Sequence, residues 1–270
     1  DKLSKEEMIS MMVGRVVYEK PKLKSTVPKG APIALEVKNL HAGKLVQDVS
    51  FYVRKGEILG FAGLMGAGRT ETMRALYGAD RSVGNIWING EKVQINTPID
   101  AVRLGIGYLS EDRKRYGLAI GLSVAENSVM ASYEELCPKL FIPQNELEDI
   151  SKEYVDRLEV RTPSLDQLVK NLSGGNQQKV VIAKWLIKNS SVLIFDEPTR
   201  GIDVGAKSEI YHLMNELAQE GKAIIMISSE LNEILRMSDR VAVMCEGKLT
   251  GILDIEDASQ ERIMALATQH

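Results

Sequence analysis

The sequence predicts an α/β fold in which helices cover both faces of a parallel sheet, with an antiparallel β-lobe beside it and an inserted helical lobe. Three observations carry this. The apolar runs at 192–195 (Val-Leu-Ile-Phe) and 223–228 (Ala-Ile-Ile-Met-Ile-Ser) each lead through polar turn residues into a helical pattern. That alternation builds a parallel sheet with buried strands. Apolar positions alternate at Ile33, Leu35 and Val37 and again at Val49, Phe51 and Val53, as in half-buried strands. Asn89-Gly90 adds a further hairpin with a type I′ turn. Between about 112 and 187 the pattern is helical with no comparable apolar strand, which marks the inserted lobe.

The 270 residues suffice for one large domain, and 44 % hydrophobic with 26 % charged residues is the balance of a folded globular chain. A net charge of −3 argues against a nucleic-acid partner. The two cysteines, Cys137 and Cys245, are too few for a disulfide framework and lack metal-ligand spacing. No apolar run approaches the ~18 residues of a membrane span, so membrane association is expected to run through a partner.

Residues 19–32 hold three prolines and four lysines without apolar periodicity and read as a linker. The segment before it, 1–18, carries a short amphipathic pattern that aligns with one near the other end. Ser4, Glu6, Met8, Ile9, Met11 and Met12 fall opposite Ser259, Glu261, Ile263, Met264, Leu266 and Ala267. The expectation is that 1–18 is the closing helix of a preceding copy of the domain at 33–270.

Gly63-Leu64-Met65-Gly66-Ala67-Gly68-Arg69-Thr70 has the skeleton of a phosphate-binding loop, with Arg69 where the pattern wants lysine. Glycines let successive amides turn toward phosphate oxygens, and the helix opening at Thr70 and Glu71 adds its positive end. Thr70 offers a hydroxyl to Mg²⁺. Gly78 stands as the helix C-cap. Farther on, Leu172-Ser173-Gly174-Gly175-Asn176-Gln177-Gln178 opens a helix with an anion site at its N-terminus. Asp196-Glu197 closes an apolar strand, and Asp196 follows Ser173 by 23 residues.

Together these motifs resemble those of ABC ATPases, over residues 33–270. The resemblance implies a P-loop NTPase fold with a RecA-like parallel core, an antiparallel β-subdomain and a helical lobe. It makes Ser173, Gly174 and Gly175 the signature, Asp196 the metal-associated acid of Walker B, Glu197 the general base and Asp203 the acid of the D-loop. Gly63, Gly66, Ala67, Gly68, Arg69, Thr70 and Glu71 become the loop that holds ATP, with Mg²⁺ between Thr70, Asp196 and Glu111. The runs Glu197–Lys207 (EPTRGIDVGAK) and Ser110–Lys114 (SEDRK) look most like second, C-terminal cassettes of ribose- and galactose-type monosaccharide importers.

Four positions depart from the family pattern. Arg69 replaces lysine, Glu111 stands where the Q-loop glutamine is expected, and Ser229 stands where the switch histidine is expected. No aromatic residue precedes the loop as a platform for adenine; His41 is the nearest substitute. The phosphate loop, switch and platform serve the nucleotide on the domain's own surface, whereas the signature serves a partner's. The expectation is therefore an asymmetric transport ATPase on the cytoplasmic face of a bacterial inner membrane. Its partners are the preceding cassette, permease subunits and, indirectly, a periplasmic sugar-binding protein. The alternatives are a non-transport ABC ATPase and a catalytically silent regulatory cassette.

Overall fold

Residues 21–136 and 144–269 are described by the computed structural model. Four strands form an antiparallel sheet in the order β2-β1-β4-β5: β1 (Ile33–Ala42), β2 (Val46–Arg54), β4 (Val83–Ile88) and β5 (Glu91–Val93). Leu35, Val37, Val49, Phe51 and Val53 are buried in this lobe, whereas Ile33 at the end of β1 is 41 % exposed. Asn89 and Gly90 take φ of 50° and 84° in the expected hairpin.

The second sheet runs β10-β9-β3-β8-β7-β6. Its strands are β3 (Ile58–Gly63), β6 (Ile106–Leu109), β7 (Val192–Asp196), β8 (Ala223–Ile227), β9 (Arg240–Cys245) and β10 (Lys248–Asp254). Five are mutually parallel and β10 is an antiparallel edge. Every residue of β7, β8 and β9 is buried, as continuous apolar strands covered on both faces must be. The expectations omit the β9–β10 hairpin, although Glu246-Gly247 turns it with φ of 47° and 84°.

The helices of the core are α1 (Arg69–Leu76), α2 (Pro98–Arg103), α6 (Val204–Gln219), α7 (Leu231–Met237) and α8 (Gln260–Ala267). Gly78, with φ 73°, follows the C-cap Tyr77 of α1. Between β6 and β7 the described elements are helical. They include α3 (Val124–Val129), α4 (Gln144–Arg157) and α5 (Gly174–Ile187). The far end of α5 also reaches the sheet, because a Cβ on Gly107 of β6 would lie 2.8 Å from Trp185 Cγ. Lys184 on α5 is buried, and its ammonium donates to the Gly117 carbonyl at 2.6 Å. Burial pulls its pKa down to about 8.

The helix expected at 1–18 and Cys137 lie outside the described residues. The later half of the proposed pair does form a helix, α8, with Ser259 as its N-cap accepting from the Arg262 amide. Residues 21–32, expected as a linker, carry no helix or strand, yet they are fastened to the domain. The Lys22 amide donates to the Leu235 carbonyl at 3.0 Å. Lys22 Nζ and Ser25 Oγ reach Asp239 Oδ1 at 2.6 and 2.8 Å. Asp239, 2 % exposed, accepts the Ile58 amide on its other oxygen at 3.0 Å.

Asp239 therefore joins three segments, and Asp239→Ala leaves a buried amide and a cation without their acceptor. Urea unfolding should show a loss of about 3–5 kcal/mol; a loss under about 1 kcal/mol removes this joint from the account. Lys184 gives a pH test. Its folded pKa lies below the unfolded value of 10.5, so between about pH 8 and 10.5 the unfolded chain binds the extra proton and this group's contribution to stability rises with pH. Unfolding midpoints of wild type minus Lys184→Met should climb across that window; a flat difference contradicts the burial effect.

Candidate functional site

In the large sheet β8 lies between β3 and β7, and all three run the same way. Phe61, Ile227 and Asp196 share one row of the register. The loops after these strands must therefore meet at a single edge, the carboxyl edge where ligands of open α/β sheets bind. They carry the phosphate loop, Ser229 and Glu197.

The phosphate loop leaves β3 at Gly63 and enters α1 at Arg69, with Gly68 as an N-cap that offers no side chain. Gly68 has φ 96°, and a Cβ there would come within 2.1 Å of the Leu45 carbonyl oxygen, so only glycine fits. The Leu64 carbonyl accepts from the Ala67 amide at 3.0 Å and closes the turn over residues 64–67. The amides of Arg69, Thr70 and Glu71 in the first turn of α1 have no helical acceptor, and the helix dipole makes them attractive to an anion.

Thr70 Oγ1 donates to Asp196 Oδ1 at 3.1 Å, and the Tyr108 hydroxyl donates to Asp196 Oδ2 at 2.7 Å. Asp196 is 1 % exposed. Burial pushes its pKa above the usual carboxylate range, while Tyr108, Thr70 and the Arg69 charge pull it back only in part. Glu197 is also pushed up by burial, against the opposing charge of Arg69 and the Ser229 hydroxyl. Ser229 Oγ donates to Glu197 Oε2 at 3.2 Å. The Glu197 amide is tied to the Ile227 carbonyl at 2.9 Å, and the residue sits at φ 50°, a conformation that costs of order 1–3 kcal/mol and concentrates at functional sites.

Two expected ligands are engaged elsewhere. Arg69 Nη1 donates to the Ser228 carbonyl at 2.6 Å, so its fork reaches the switch loop. Glu111 is ion-paired with Arg200 of the D-loop. Glu111 still lines, with Thr70, Tyr108 and Asp196, a cavity of about 470 Å³. His41 accepts the Asp48 amide on Nδ1 at 3.2 Å.

The signature residues are assembled apart from this centre. Ser173 caps α5, and Asn176 Nδ2 donates to its Oγ at 2.9 Å. Asp203 caps α6, its Oδ1 accepting the Ala206 amide at 3.0 Å. The two helix starts approach closely at Gly175, where a Cβ would lie 2.8 Å from Ala206 Cβ. Ser173, Gly175 and Asp203 line a second cavity of about 190 Å³ that contains none of the Asp196 group. Arg113 bridges toward the first centre, with Nε on Gln177 Oε1 at 3.4 Å and Nη1 on the Arg200 carbonyl at 3.2 Å. Sequence reasoning missed Tyr108 and Arg113, which act only through partners tens of residues away.

Residues 46–200, more than half of the chain, match the model of the ABC transporter family. A protein of Burkholderia cenocepacia (strain HI2424), provisionally named ribose/galactose/methyl galactoside import ATP-binding protein 2, is 56 % identical over 98 % of this chain and 52 % of its own length. The xylose import ATP-binding protein of Thermoanaerobacter pseudethanolicus (strain ATCC 33223 / 39E) is 50 % identical over 99 % of this chain and 54 % of its own. The chain thus spans about half the length of these relatives. Among solved structures, an ATP-binding cassette of an ABC transporter superposes with a TM-score of 0.72 at 20 % identity, over 88 % of this chain and 99 % of that one. A bacterial ABC transporter cassette solved as a dimer gives 0.68 at 20 % identity, over 82 % and 98 %. These likenesses show the fold, a P-loop NTPase cassette. With a matched sequence and a shared architecture, the chain belongs to the ABC transporter family.

Proposed function

We propose that this chain hydrolyses ATP as one cassette of a monosaccharide importer of the ribose, galactose or xylose type, paired with a preceding cassette of the same polypeptide. The relatives' names support the transport class, and their nearly doubled length leaves room for a second cassette. Permease subunits hold the pair at the cytoplasmic face of the inner membrane, and a periplasmic sugar-binding protein acts through the permease. No helix among the described residues is long and apolar enough to cross a membrane.

The observation that carries the reading is the meeting of the phosphate loop, Asp196-Glu197 and Ser229 at one sheet edge, while Ser173 and Gly175 line a cavity of their own. The first-turn amides of α1 take the phosphate oxygens of ATP. Thr70 Oγ1 and Asp196 Oδ1, 3.1 Å apart, are hard oxygen donors that suit Mg²⁺. That ion, when bound, neutralises charge on the phosphate oxygens. Glu197 takes a proton from the water that attacks the terminal phosphoryl group, and burial strengthens it as a base. Ser229 fixes the carboxylate oxygen that it contacts. Ser173, Gly174 and Gly175 present a helix N-terminus to the ATP held by the partner cassette.

A weak home site is the second half of the proposal. One nitrogen of the Arg69 fork is held by the Ser228 carbonyl, and Ser229 carries no charge to set against the phosphates. Each lost electrostatic contact to a transition state costs about 10²–10³ in rate. The isolated chain should therefore turn over ATP at least about 10²-fold more slowly than the full-length protein. Equal rates contradict the asymmetry. In the full-length protein, Ser173→Phe should cut transport and hydrolysis by about 10²–10³-fold, with Arg69→Ala costing less than about tenfold. The opposite ranking assigns the working site to this chain's own loop.

A further inference from the structure

We propose that Glu233 is a positioning residue of the site, one buried carboxylate that ties the loop carrying Glu197 to the loop carrying Ser229 and sets their separation. This rests on the roles given above to Glu197 and Ser229.

Glu233 lies in the first turn of α7 and is 3 % exposed. Four side chains from three segments donate to it. Thr199 Oγ1 reaches Oε1 at 2.6 Å, Lys207 Nζ reaches Oε1 at 3.1 Å, and the Tyr211 hydroxyl donates to the same oxygen. Ser228 Oγ donates to Oε2 at 2.7 Å. Burial pushes the carboxyl upward, but the donors outweigh it and hold its pKa below the ordinary value. It is therefore an ionised group with its lone pairs occupied, which makes it a rigid anchor.

The identity of the donors separates this arrangement from a merely stabilising buried ion. Thr199 lies two residues beyond Glu197, and Ser228 immediately precedes Ser229. Glu197 is fixed on its near side by the hydrogen bond from its amide to the Ile227 carbonyl; on its far side the fixed point is Thr199 on Glu233. Ser228 is gripped twice, by its hydroxyl on Glu233 and by its carbonyl on Arg69. One carboxylate thus receives the far flank of the base and the near flank of the residue that hydrogen-bonds the base. Lys207 and Tyr211 of α6 brace the carboxylate from behind, and Lys207 also pairs with Glu230 at 2.8 Å. The 3.2 Å contact between Ser229 and Glu197 is the quantity that this tie controls. Misplacing a catalytic group by about 1 Å can cost about 10²-fold in rate.

The test uses the full-length protein carrying Ser173→Phe, and takes as this chain's own turnover the part of the residual rate that Glu197→Gln removes. In that background Glu233→Gln should lower kcat by about 10²-fold and leave KM for ATP within about twofold. Amide hydrogen exchange read by mass spectrometry should speed up together in residues 197–200 and 228–230. Thr199→Val cuts one arm and should loosen 197–200 alone; Ser228→Ala cuts the other and should loosen 228–230 alone. These two variants decide the matter if Glu233→Gln does not fold. Unchanged exchange in either segment of the folded Glu233→Gln protein overturns the tie, as does a raised KM with kcat intact. For the single-arm variants, both segments moving together, or neither, overturns it too. Glu197→Gln separates the two readings: unchanged residual turnover in that variant defeats the role given to the base, while exchange still judges the tie.

Discussion

Phe61, Ile227 and Asp196 stand side by side across three neighbouring parallel strands, and the rest of the site depends on that register. Side chains alternate faces along a strand, so a slip of one residue in β7 would carry Asp196 to the opposite face of the sheet. Thr70 and Tyr108 would then lose the carboxylate they share. The fully buried strands prevent the slip indirectly. Both faces of β7, β8 and β9 are buried, and helices pack on them in a single arrangement. The hydrophobic interior, which has no part in the chemistry, is what makes a sub-ångström arrangement of polar groups affordable.

Glu233, Asp196 and Glu197, three of the carboxylates in this region, differ in how they are solvated by the protein. Glu233 has four donors, one of them the Lys207 cation, and stays readily ionised. Asp196 has two neutral donors and Glu197 has the hydroxyl and the amide of Ser229, each also near the Arg69 charge, and burial dominates both. Desolvation of a carboxylate costs several kcal/mol unless hydrogen bonds replace water. The well-donated group is the anchor, and the poorly donated groups are the ones left eager for a cation or a proton. The division follows from counting donors.

Much of this was legible in the sequence because its signals are local. The phosphate loop, the Ser-Gly-Gly cap of α5 and the Asp-Glu strand end each declare themselves within eight residues or fewer. The Asn89-Gly90 turn did likewise, and the Glu246-Gly247 turn of β9–β10 offered the same cue unread. What stayed hidden is long-range. Arg69 reads locally as a phosphate ligand, and its bond to the Ser228 carbonyl, 159 residues away, does not show. Glu111 reads locally as a metal ligand, and its ion pair with Arg200 does not show either. Tyr108 resembles any strand tyrosine until it meets Asp196. The proline- and lysine-rich stretch at 19–32 has the composition of slack chain, and composition carries no information about an acceptor some 214 residues on.

That last feature has mechanical meaning. Lys22 and Ser25 are moored to Asp239, whose second oxygen holds the amide of Ile58, the first residue of β3. β3 ends in the phosphate loop five residues later, at Gly63. A pull or twist entering the chain ahead of residue 22 therefore has a hydrogen-bonded path to the foot of the strand that carries the phosphate loop at its tip. The stretch is a tether pinned close to its own beginning.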